Sequence, residues 1–344
     1  MKHESTFYFN ESFQLELGGY LPGFQLRYTT LGKLNSSRDN VVWVCHALTG
    51  SSDVTSWWHS LFTQEGVYNP DEYFIICANM PGSAYGSTNA FSVNPENGKI
   101  YFHEFPTLTN RDVVRAFDLL RRSLGIYSVH TLIGGSLGGQ QVLEWAIQEP
   151  DVFEHVVPIA TNAQHSPWGI AFNEAQRMAI AADASWKTND YLAGAEGLKA
   201  ARAIGMISYR TYDTFHKTQR ETTDDTTADY KAATYQRYQG LKLSRRFNAF
   251  SYWALSKMMD SHNVGRDRGG VEGALRNIKA RTLVVGIDSD LLFPIQEQLL
   301  LAEKINDADI AILQSLYGHD GFLVEFEQLN NALKKFYKEQ NVLK

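Results

Sequence analysis

Short apolar runs alternate with helical patterns along the first half of the chain. Four runs are continuously apolar, or nearly so, which is typical of strands that are buried on both faces of a sheet. They span residues 41–45, 74–78, 128–133 and 156–160. Before the third run, residues 109–124 repeat apolar side chains every three or four positions behind Thr109, a residue suited to cap a helix. The alternation predicts a mostly parallel sheet that is covered by helices.

The first 35 residues follow a different pattern. Residues 13–17 and 24–31 alternate in polarity, and a stretch rich in glycine and proline, residues 18–23, separates them. Such alternation indicates strands with one face on the core and the other in solvent. We therefore expect these two segments to pair as an antiparallel hairpin at one edge of the sheet.

A long stretch in the second half lacks strand patterns. Residues 163–271 are rich in Ala, Gln, Lys and Tyr, and a polar break interrupts them at residues 221–228. This composition predicts helices that are inserted between two strands of the sheet. We place the insertion, a helical lid, at residues 166–271.

Strand patterns resume after the insertion, at residues 282–287 and 309–313. The chain then ends in a predicted helix with an apolar stripe along one side. The stripe consists of Phe322, Phe326, Leu329, Leu333 and Phe336. The core of the protein is therefore expected to come from residues 1–165 and 272–344 together.

Composition narrows the class of protein. The 344 residues are 44% hydrophobic and 20% charged, which is typical of globular chains and not of disordered ones. The net charge is −6 and no basic tract occurs, so nucleic acid is not an expected partner. No apolar run is long enough to span a membrane, and the first residues do not resemble a signal peptide. We expect a cytoplasmic protein without membrane association.

Cysteine usage gives no indication of a disulfide or a metal. Cys45 and Cys77 are the two cysteines of the chain, and each lies inside an apolar run of strand type. Buried free thiols are therefore expected. The sequence also lacks a cluster of cysteines and histidines with the spacing of a zinc site, so no metal is predicted.

The strongest chemical signal is Gly134-Gly135-Ser136-Leu137-Gly138, which follows an apolar strand and precedes a helical pattern. This is the G-x-S-x-G nucleophile elbow in its strand–turn–helix context. The serine needs a strained turn that exposes its hydroxyl, and the flanking glycines let helix and strand approach each other. Ser136 is therefore the candidate nucleophile.

A serine nucleophile needs a base and an acid, which in this fold follow in the order Ser, Asp, His. Asp288 and Asp290 lie in the loop after the strand at 282–287, and His319 lies after the next strand, ahead of the last helix. The carboxyl ends of parallel strands meet at one edge of a sheet, so these residues can converge on Ser136. The residues alone leave Asp288 and Asp290 as competing candidates, and the other is expected to be a turn or cap residue.

An oxyanion hole needs two backbone amides. One follows the nucleophile and belongs to Leu137. The other should come from the loop after an earlier strand, and Leu48 in Cys45–Gly50 is the candidate. His46 in the same loop is expected to shape the loop and not to act as a base.

Together these motifs resemble those of the homoserine O-acetyltransferases of the α/β-hydrolase superfamily. The resemblance runs from about residue 13 to residue 335. It rests on Cys45–Gly50, Tyr85–Thr88, Asn94–Gly98, Gly134–Gly139, Leu143–Ala146, Tyr238–Gly240, Ser289–Pro294 and Gly318–Phe322. It implies an α/β-hydrolase fold, and it selects Asp290 as the catalytic acid because the family acid directly precedes x-Leu-Phe-Pro.

The resemblance also implies how the acceptor is bound. In the family an arginine of the lid and the aspartate after the catalytic histidine bind homoserine, and these positions correspond to Arg202 and Asp320. A guanidinium can bind the carboxylate of an amino acid while a carboxylate binds its ammonium group. The family lid also forms a homodimer, so a dimer is expected here.

The implied reaction is a ping-pong transfer of acetyl from acetyl-CoA, a co-substrate, to L-homoserine through an acyl-serine, with no cofactor. Related enzymes transfer succinyl or act on serine, so these alternatives stay open, as does a hydrolase or a non-catalytic binding protein of the same fold. Lys242, Arg245 and Arg246 could meet the CoA phosphates, but a solvated basic helix face is the preferred interpretation.

Overall fold

A central sheet of eight strands organises the protein, and the computed structural model describes residues 2–341 of it. The strands of the chain are β1 Lys2–Phe9, β2 Phe13–Gln14, β3 Tyr20–Leu21, β4 Phe24–Leu31, β5 Val41–Cys45, β6 Phe74–Ala78, β7 Val129–Gly135, β8 Phe153–Ile159, β9 Arg281–Ile287 and β10 Ala308–Leu313. The order in the sheet is β1-β4-β6-β5-β7-β8-β9-β10. The strands from β6 to β10 run parallel to one another, whereas β1 and β4 are joined to the sheet in antiparallel pairs.

Helices lie on both faces of this sheet. They are α1 Asn110–Ser123, α2 Leu137–Gln148, α3 Pro167–Ala181, α4 Ala195–Tyr209, α5 Tyr212–Gln219, α6 Lys231–Ser244, α7 Ala249–Asp260, α8 Val271–Leu275, α9 Ile295–Lys304, α10 Gly321–Val324 and α11 Phe326–Asn341. Helices α3 to α8 all fall between β8 and β9, where the sequence predicts inserted helices. The polar break between α5 and α6 lies at the predicted position, and most of its residues are exposed.

Two apolar cores, one on each face, explain why the central strands are apolar throughout. On one face Trp43 of β5 packs edge-on against Trp145 of α2, with ring centroids 4.9 Å apart. On the other face Trp58 packs edge-on against Phe322 of α10. The predicted central strands are confirmed, because β5, β7 and β8 are buried along nearly their whole length. Each such strand must supply apolar side chains to both cores.

The edge of the sheet is antiparallel, as predicted, but the segment predicted to pair with residues 24–31 is wrong. Residues 24–31 form β4, which pairs in antiparallel register with β1, from Lys2 opposite Leu31 to Phe9 opposite Phe24. Residues 13–14 pair instead with residues 20–21 in a separate two-stranded ribbon. The glycine-rich stretch therefore closes this small ribbon, and the longer strand β1 takes the place beside β4.

The termini of two predicted helices follow from local chemistry. Helix α1 begins with a capping box, in which the Thr109 side chain accepts from the Asp112 amide and the Asp112 carboxylate accepts from the Thr109 amide, so the predicted cap is confirmed. The final helix is not continuous: it is divided at Glu325, so that Phe322 lies on α10 and the rest of the predicted stripe on α11.

Two further sequence-based expectations can be compared with the structure. Cys45 and Cys77 are free and buried, as predicted. Within residues 2–341, no helix combines the length and the apolar character that crossing a membrane requires.

Candidate active site

Ser136 lies at the sharp turn between β7 and α2. Its backbone has φ 58° and ψ −125°, a conformation that residues with a side chain rarely adopt. Neighbouring groups hold it there: its amide donates to the Ile159 carbonyl over 2.9 Å, and its carbonyl accepts from the Thr161 hydroxyl over 2.9 Å. Strain that is held by surrounding hydrogen bonds is a feature of functional sites. The predicted nucleophile elbow is present.

The glycines of the elbow allow close contact with the end of β5. A Cβ built on Gly138 would lie 2.1 Å from the Cys45 carbonyl oxygen and 3.0 Å from the His46 carbonyl oxygen. A Cβ on Gly134 would lie 2.7 Å from the Gly138 carbonyl group. No side chain fits at either position. The absence of side chains therefore brings the first turn of α2 against the loop that carries Leu48.

Asp290 and His319 form a buried hydrogen-bonded pair. The Asp290 Oδ2 atom lies 2.7 Å from His319 Nδ1, and both residues are almost fully buried. The other oxygen, Oδ1, accepts from the amides of Leu292 and Phe293 over 2.8 and 2.9 Å. With Oδ2 accepting, the imidazole donates from Nδ1, which leaves Nε2 as the proton acceptor. The carboxylate thus fixes the orientation of the imidazole and leaves Nε2 free to accept a proton.

The surroundings of His319 determine its basicity. Burial by itself would lower the pKa of His319, but the Asp290 carboxylate and its hydrogen bond, helped by the charge of Asp320, raise the pKa above its usual value. The Phe293 ring stacks on the imidazole with centroids 5.1 Å apart. The pair therefore stabilises the charged imidazolium that a general base becomes when it takes a proton.

Phe322 connects the elbow with the histidine. A Cβ on Gly135, the residue before Ser136, would lie 2.6 Å from the Phe322 ring, and the same ring lies edge-on to His319 with centroids 5.4 Å apart. The three predicted residues follow β7, β9 and β10 at the carboxyl edge of the sheet. The structure therefore brings Ser136, Asp290 and His319 to one edge of the sheet.

Asp288, the competing acid, has a different place. Its Oδ1 atom accepts from the Ser315 amide over 2.9 Å. The neighbouring Ser289 hydroxyl donates to the Ser315 carbonyl and accepts from the Gly318 amide. Asp288 therefore joins the loop after β9 to the loop after β10, and Asp290 is the aspartate that contacts the histidine.

The two predicted oxyanion amides lie on elements in contact. Leu137 is the first residue of α2, whose leading amides have no acceptor within the helix. Leu48 lies in the loop after β5, which packs against that first turn through Gly138. Among the described residues, no backbone carbonyl accepts from either amide outside regular helix and strand bonding. Both amides are thus available to a developing oxyanion.

His46 shapes this loop, as expected. Its Nε2 atom lies 3.3 Å from the Met80 amide and its Nδ1 atom 2.9 Å from the Ala47 carbonyl. Complete burial lowers the pKa of His46 to about 4, so the ring is neutral near pH 7. Both ring nitrogens are engaged, which leaves no free nitrogen for a role as a base.

A lid residue that the sequence marked only as a possible phosphate ligand also contacts this loop. The Arg246 Nη1 atom donates to the Thr49 carbonyl over 2.7 Å and to the Tyr85 hydroxyl. Lys242 and Arg245 are exposed on the same segment. Arg246 therefore fixes the residue after Leu48. No sequence pattern could reveal this contact, because its partners lie 197 and 161 positions away.

Arg202 approaches the site from helix α4. Its guanidinium lies 5.3 Å from the centre of the Tyr209 ring, and that ring lies 5.9 Å from the His319 ring. Arg202 is half-buried, and within residues 2–341 no carboxylate forms an ion pair with it. A partly buried guanidinium without a counter-ion is suited to bind a carboxylate.

Asp320, the other predicted acceptor ligand, already has a cationic neighbour. The Arg210 Nε atom lies 2.9 Å from Asp320 Oδ2. Arg210 was not a sequence-based candidate, because it lies 110 positions before Asp320 in the chain. The structure thus places Arg202 beside the Tyr209 ring, which adjoins His319, and it pairs Asp320 with Arg210, an additional residue.

A group of potential metal ligands lies elsewhere, on β7 and β8. His130, Glu154 and His155 place one ligand atom each within 4.8 Å of one another. The His155 Nδ1 atom is hydrogen-bonded to the His130 carbonyl. The group lies toward the amino ends of these strands, opposite the edge that carries Ser136. It therefore has no part in the chemistry of the triad.

Comparison with known proteins supports the fold and identifies relatives. The family model described as alpha/beta hydrolase fold matches residues 40–326. A curated homoserine O-acetyltransferase from Cyclobacterium marinum is 49% identical over 338 residues, which cover 98% of this chain and 96% of the relative.

Two solved structures show the same fold at low identity. A homoserine O-acetyltransferase from Bacillus anthracis superposes with a TM-score of 0.89 at 22% identity and covers 98% of this chain and 97% of its own. Esterase E22 superposes with a TM-score of 0.88, also at 22% identity, and covers 98% of this chain and 100% of its own. The fold is thus common to transferases and esterases, so it does not by itself distinguish the two activities.

Proposed function

Because the chain belongs to the homoserine O-acetyltransferase family of the α/β-hydrolase fold, we propose that it transfers acetyl from acetyl-CoA to the side-chain hydroxyl of L-homoserine. The reaction is a ping-pong transfer through an acyl-serine. The observation that carries the proposal is the buried Asp290–His319 pair at 2.7 Å, at the same edge of the sheet as the strained Ser136. These are the parts that acyl transfer to and from a serine requires.

The first half-reaction acylates the serine. His319 Nε2 accepts the Ser136 proton while Oγ attacks the thioester carbon of acetyl-CoA. The amides of Leu48 and Leu137 donate to the oxyanion, and Asp290 stabilises the imidazolium. The C–S bond then breaks, and the CoA thiolate leaves with the proton from His319. The enzyme now holds an acetyl ester on Ser136.

The second half-reaction transfers the acetyl group. Arg202 binds the carboxylate of L-homoserine and Asp320 binds its ammonium group, which directs the hydroxyl toward His319. Nε2 accepts the hydroxyl proton, and the oxygen attacks the acetyl ester. Collapse of the tetrahedral intermediate returns the proton to Ser136 and releases O-acetylhomoserine. No cofactor or metal enters this scheme.

Release of free thiol tests this proposal. Purified protein is mixed with acetyl-CoA or succinyl-CoA, each with L-homoserine, with L-serine or with no acceptor. We expect sustained thiol release with acetyl-CoA and L-homoserine, and only one equivalent per enzyme when the acceptor is omitted. Sustained release with succinyl-CoA or with L-serine would change the donor or the acceptor within the family.

The hydrolase alternative has its own signature in the same assay. An esterase lets water reach the acyl-enzyme, so it would release thiol continuously without an amino acid. It would also hydrolyse p-nitrophenyl acetate rapidly and continuously. A non-catalytic binding protein of this fold would release no thiol and would not react with a fluorophosphonate at Ser136. Either result would contradict the proposed function.

We also propose that the helices of residues 166–271 cover the site as a lid and form a homodimer. Several large apolar side chains of these helices are exposed. Monomeric proteins rarely expose large apolar patches, so such side chains favour an interface. They are Met178, Ile207, Tyr212, Tyr238 and Leu241. The free buried cysteines are consistent with the cytoplasm as the proposed compartment.

The dimer is tested by light scattering behind a sizing column. Unchanged protein should have the mass of two chains. Met178→Glu combined with Ile207→Glu should have the mass of one, because a symmetric interface meets each substitution twice. Tyr127→Glu, at an exposed position outside the lid, is the matched control and should remain a dimer. A monomeric unchanged protein would refute the dimer without affecting the acetyl transfer.

A further inference from the structure

We propose that Arg210 is a positioning residue for the acceptor: it holds Asp320 where the ammonium group of the amino acid arrives. The inference rests on the proposed function, and it adds a residue to the acceptor site. Arg210 belongs to the junction segment, residues 209–214, which links α4 to α5. This segment contacts the histidine turn, residues 315–320, in three different ways.

The first contact is made by two threonines. The hydroxyls of Thr211 and Thr214 both donate to the carbonyl of Leu316, the Thr211 bond measuring 2.5 Å. Two donors on one carbonyl fix the start of the histidine turn relative to the lid. The backbone that leads to His319 is thus attached to the junction segment.

The second contact is between the two backbones. Gly318 has φ 63°, and a Cβ at this position would lie 3.1 Å from the Tyr209 carbonyl oxygen and 3.3 Å from the Arg210 carbonyl carbon. The turn therefore passes directly against the junction segment, one residue before the catalytic histidine. This close approach brings Arg210 next to the turn that carries Asp320.

The third contact is the ion pair itself. Arg210 Nε lies 2.9 Å from Asp320 Oδ2, and the side chains are 20% and 16% exposed, so solvent screens the pair less than a surface pair. The guanidinium also lies 5.4 Å from the centre of the Tyr317 ring. Arg210 is thus fixed by a ring and a carboxylate of the same turn.

The geometry of the ion pair leaves Asp320 able to bind a second cation. Arg210 Nε faces the carboxylate without forming an aligned hydrogen bond. In the part of the chain that the structure describes, we find no hydrogen-bond donor to either oxygen of Asp320. The charge of Arg210 therefore keeps the carboxylate in place, and its hydrogen-bonding capacity stays available to an ammonium group.

Removing Arg210 should affect one half-reaction only. Acylation of Ser136 needs no ammonium group, and Arg210→Met leaves the Asp290–His319 pair and the charge of Asp320 in place, so its rate should stay within about twofold. The kcat/KM for L-homoserine should fall about tenfold or more, because small misplacements of a positioning group are costly. The kcat/KM for 4-hydroxybutyrate, which lacks the ammonium group, should change little. The preference for the amino acid, which is the ratio of the two kcat/KM values, should therefore decrease.

Three comparisons separate positioning from a general loss of structure. Arg210→Lys keeps a positive charge near Asp320 and should restore most of the preference. Arg210→Met added to Asp320→Asn should cause little further loss, because Arg210 acts through Asp320. Arg237→Met removes an exposed arginine of the lid and is the matched control, expected to behave like unchanged protein.

The experiment measures the thiol burst from acetyl-CoA without acceptor, and then steady-state kcat/KM for both acceptors, in the full-length protein. An unchanged preference in Arg210→Met would overturn the inference. So would an equal loss in both half-reactions, or additive losses in the double variant. Should Arg210→Met fail to fold, the ratio of kcat/KM for L-homoserine to kcat/KM for 4-hydroxybutyrate is compared in Arg210→Lys and Asp320→Asn instead. Failure of the proposed function is distinct, since unchanged protein would then transfer no acetyl.

Discussion

Ser136 combines a reactive position with an unfavourable backbone conformation. At φ 58° and ψ −125° the backbone is in a region that glycine occupies easily and other residues do not. Strain of this kind costs on the order of 1–3 kcal/mol. The fold supplies that free energy through the hydrogen bonds around the elbow, which hold Ser136 at the amino end of α2.

A pair of substitutions at this residue tests the strain. Ser136→Ala and Ser136→Gly should both lose acetyl transfer by a factor of about 10³ or more, because each removes the nucleophile. Ser136→Gly should nevertheless unfold at a higher denaturant concentration than Ser136→Ala, by about 1 kcal/mol in the free energy of unfolding. Denaturant titration measures this difference. Equal stability would show that the elbow is not strained.

Individual residues also show how much of the candidate site the sequence alone could predict. The elbow motif predicted the sharp turn at Ser136, since that turn requires glycines on both sides of it. The residues alone could not choose between Asp288 and Asp290, because both follow the same strand. Contacts separate them: Asp290 bonds to His319 and Asp288 to the Ser315 amide. Arg210 was missed, because an ion pair between distant residues leaves no local pattern.

Helix α2 packs against the end of β5 without room for a side chain at Gly138. Gly138→Ala would place a Cβ 2.1 Å from the Cys45 carbonyl oxygen, so helix and loop must move apart. We expect a loss of about 1–3 kcal/mol in the free energy of unfolding and a lower rate of acylation, because Leu48 and Leu137 separate. Gly273→Ala, whose Cβ would meet a single atom at 3.2 Å, is the control. Unchanged kinetics in Gly138→Ala would contradict this reading.

Arg246 connects a second pair of elements, the lid and the loop after β5. Arg246→Met should lower the rate of acylation about tenfold, because the loop that carries Leu48 loses the hydrogen bond that Arg246 donates to the Thr49 carbonyl. The effect should be the same with p-nitrophenyl acetate, which has no phosphates. Lys242→Met is the matched control and should act like unchanged protein. A defect confined to acetyl-CoA would instead assign Arg246 to the CoA phosphates.

The hydrophobic patterns predicted the central strands of the sheet, but they predicted the pairing at its edge less well. The central strands were recognisable because burial on both faces demands continuous apolar runs. Strand β1 was not, since its residues 2–5 are polar or charged and it is held by the backbone ladder to β4. Which strand pairs with which depends on the whole sheet and not on the alternation within one segment.

For the whole molecule, buried histidines link stability to pH. Burial lowers the pKa of His46, His130 and His165 to about 4 and the pKa of His262 to about 3. The unfolded chain binds protons on these rings from about pH 6.5 downward, whereas the folded protein does not. Stability should therefore fall as the pH falls from about 6.5 toward 4, by up to about 1.4 kcal/mol per pH unit for each ring.

His319 contributes in the opposite direction. Because its folded pKa is raised, its stabilising effect is present below the unfolded pKa and is lost as the pH rises through the folded value. His319 therefore offsets part of the loss of stability that one of the four other buried histidines causes at low pH. Denaturant titrations at pH 7, 6 and 5 measure the net slope. His262→Gln removes one titrating ring and should reduce that slope by about one proton, whereas an unchanged slope would refute the assignment.

The insertion between β8 and β9 also divides the proposed catalytic groups along the polypeptide. Ser136 precedes α3 to α8, and Asp290 and His319 follow them, while residues 221–228 form a largely exposed stretch in the middle. A backbone cut in that stretch yields one fragment with the nucleophile and another with its acid and base. Neither fragment can carry out acyl transfer alone, and their reassembly must restore the pairing of β8 with β9. Cleaved there, the enzyme becomes a complementation reporter whose signal requires both pieces to meet.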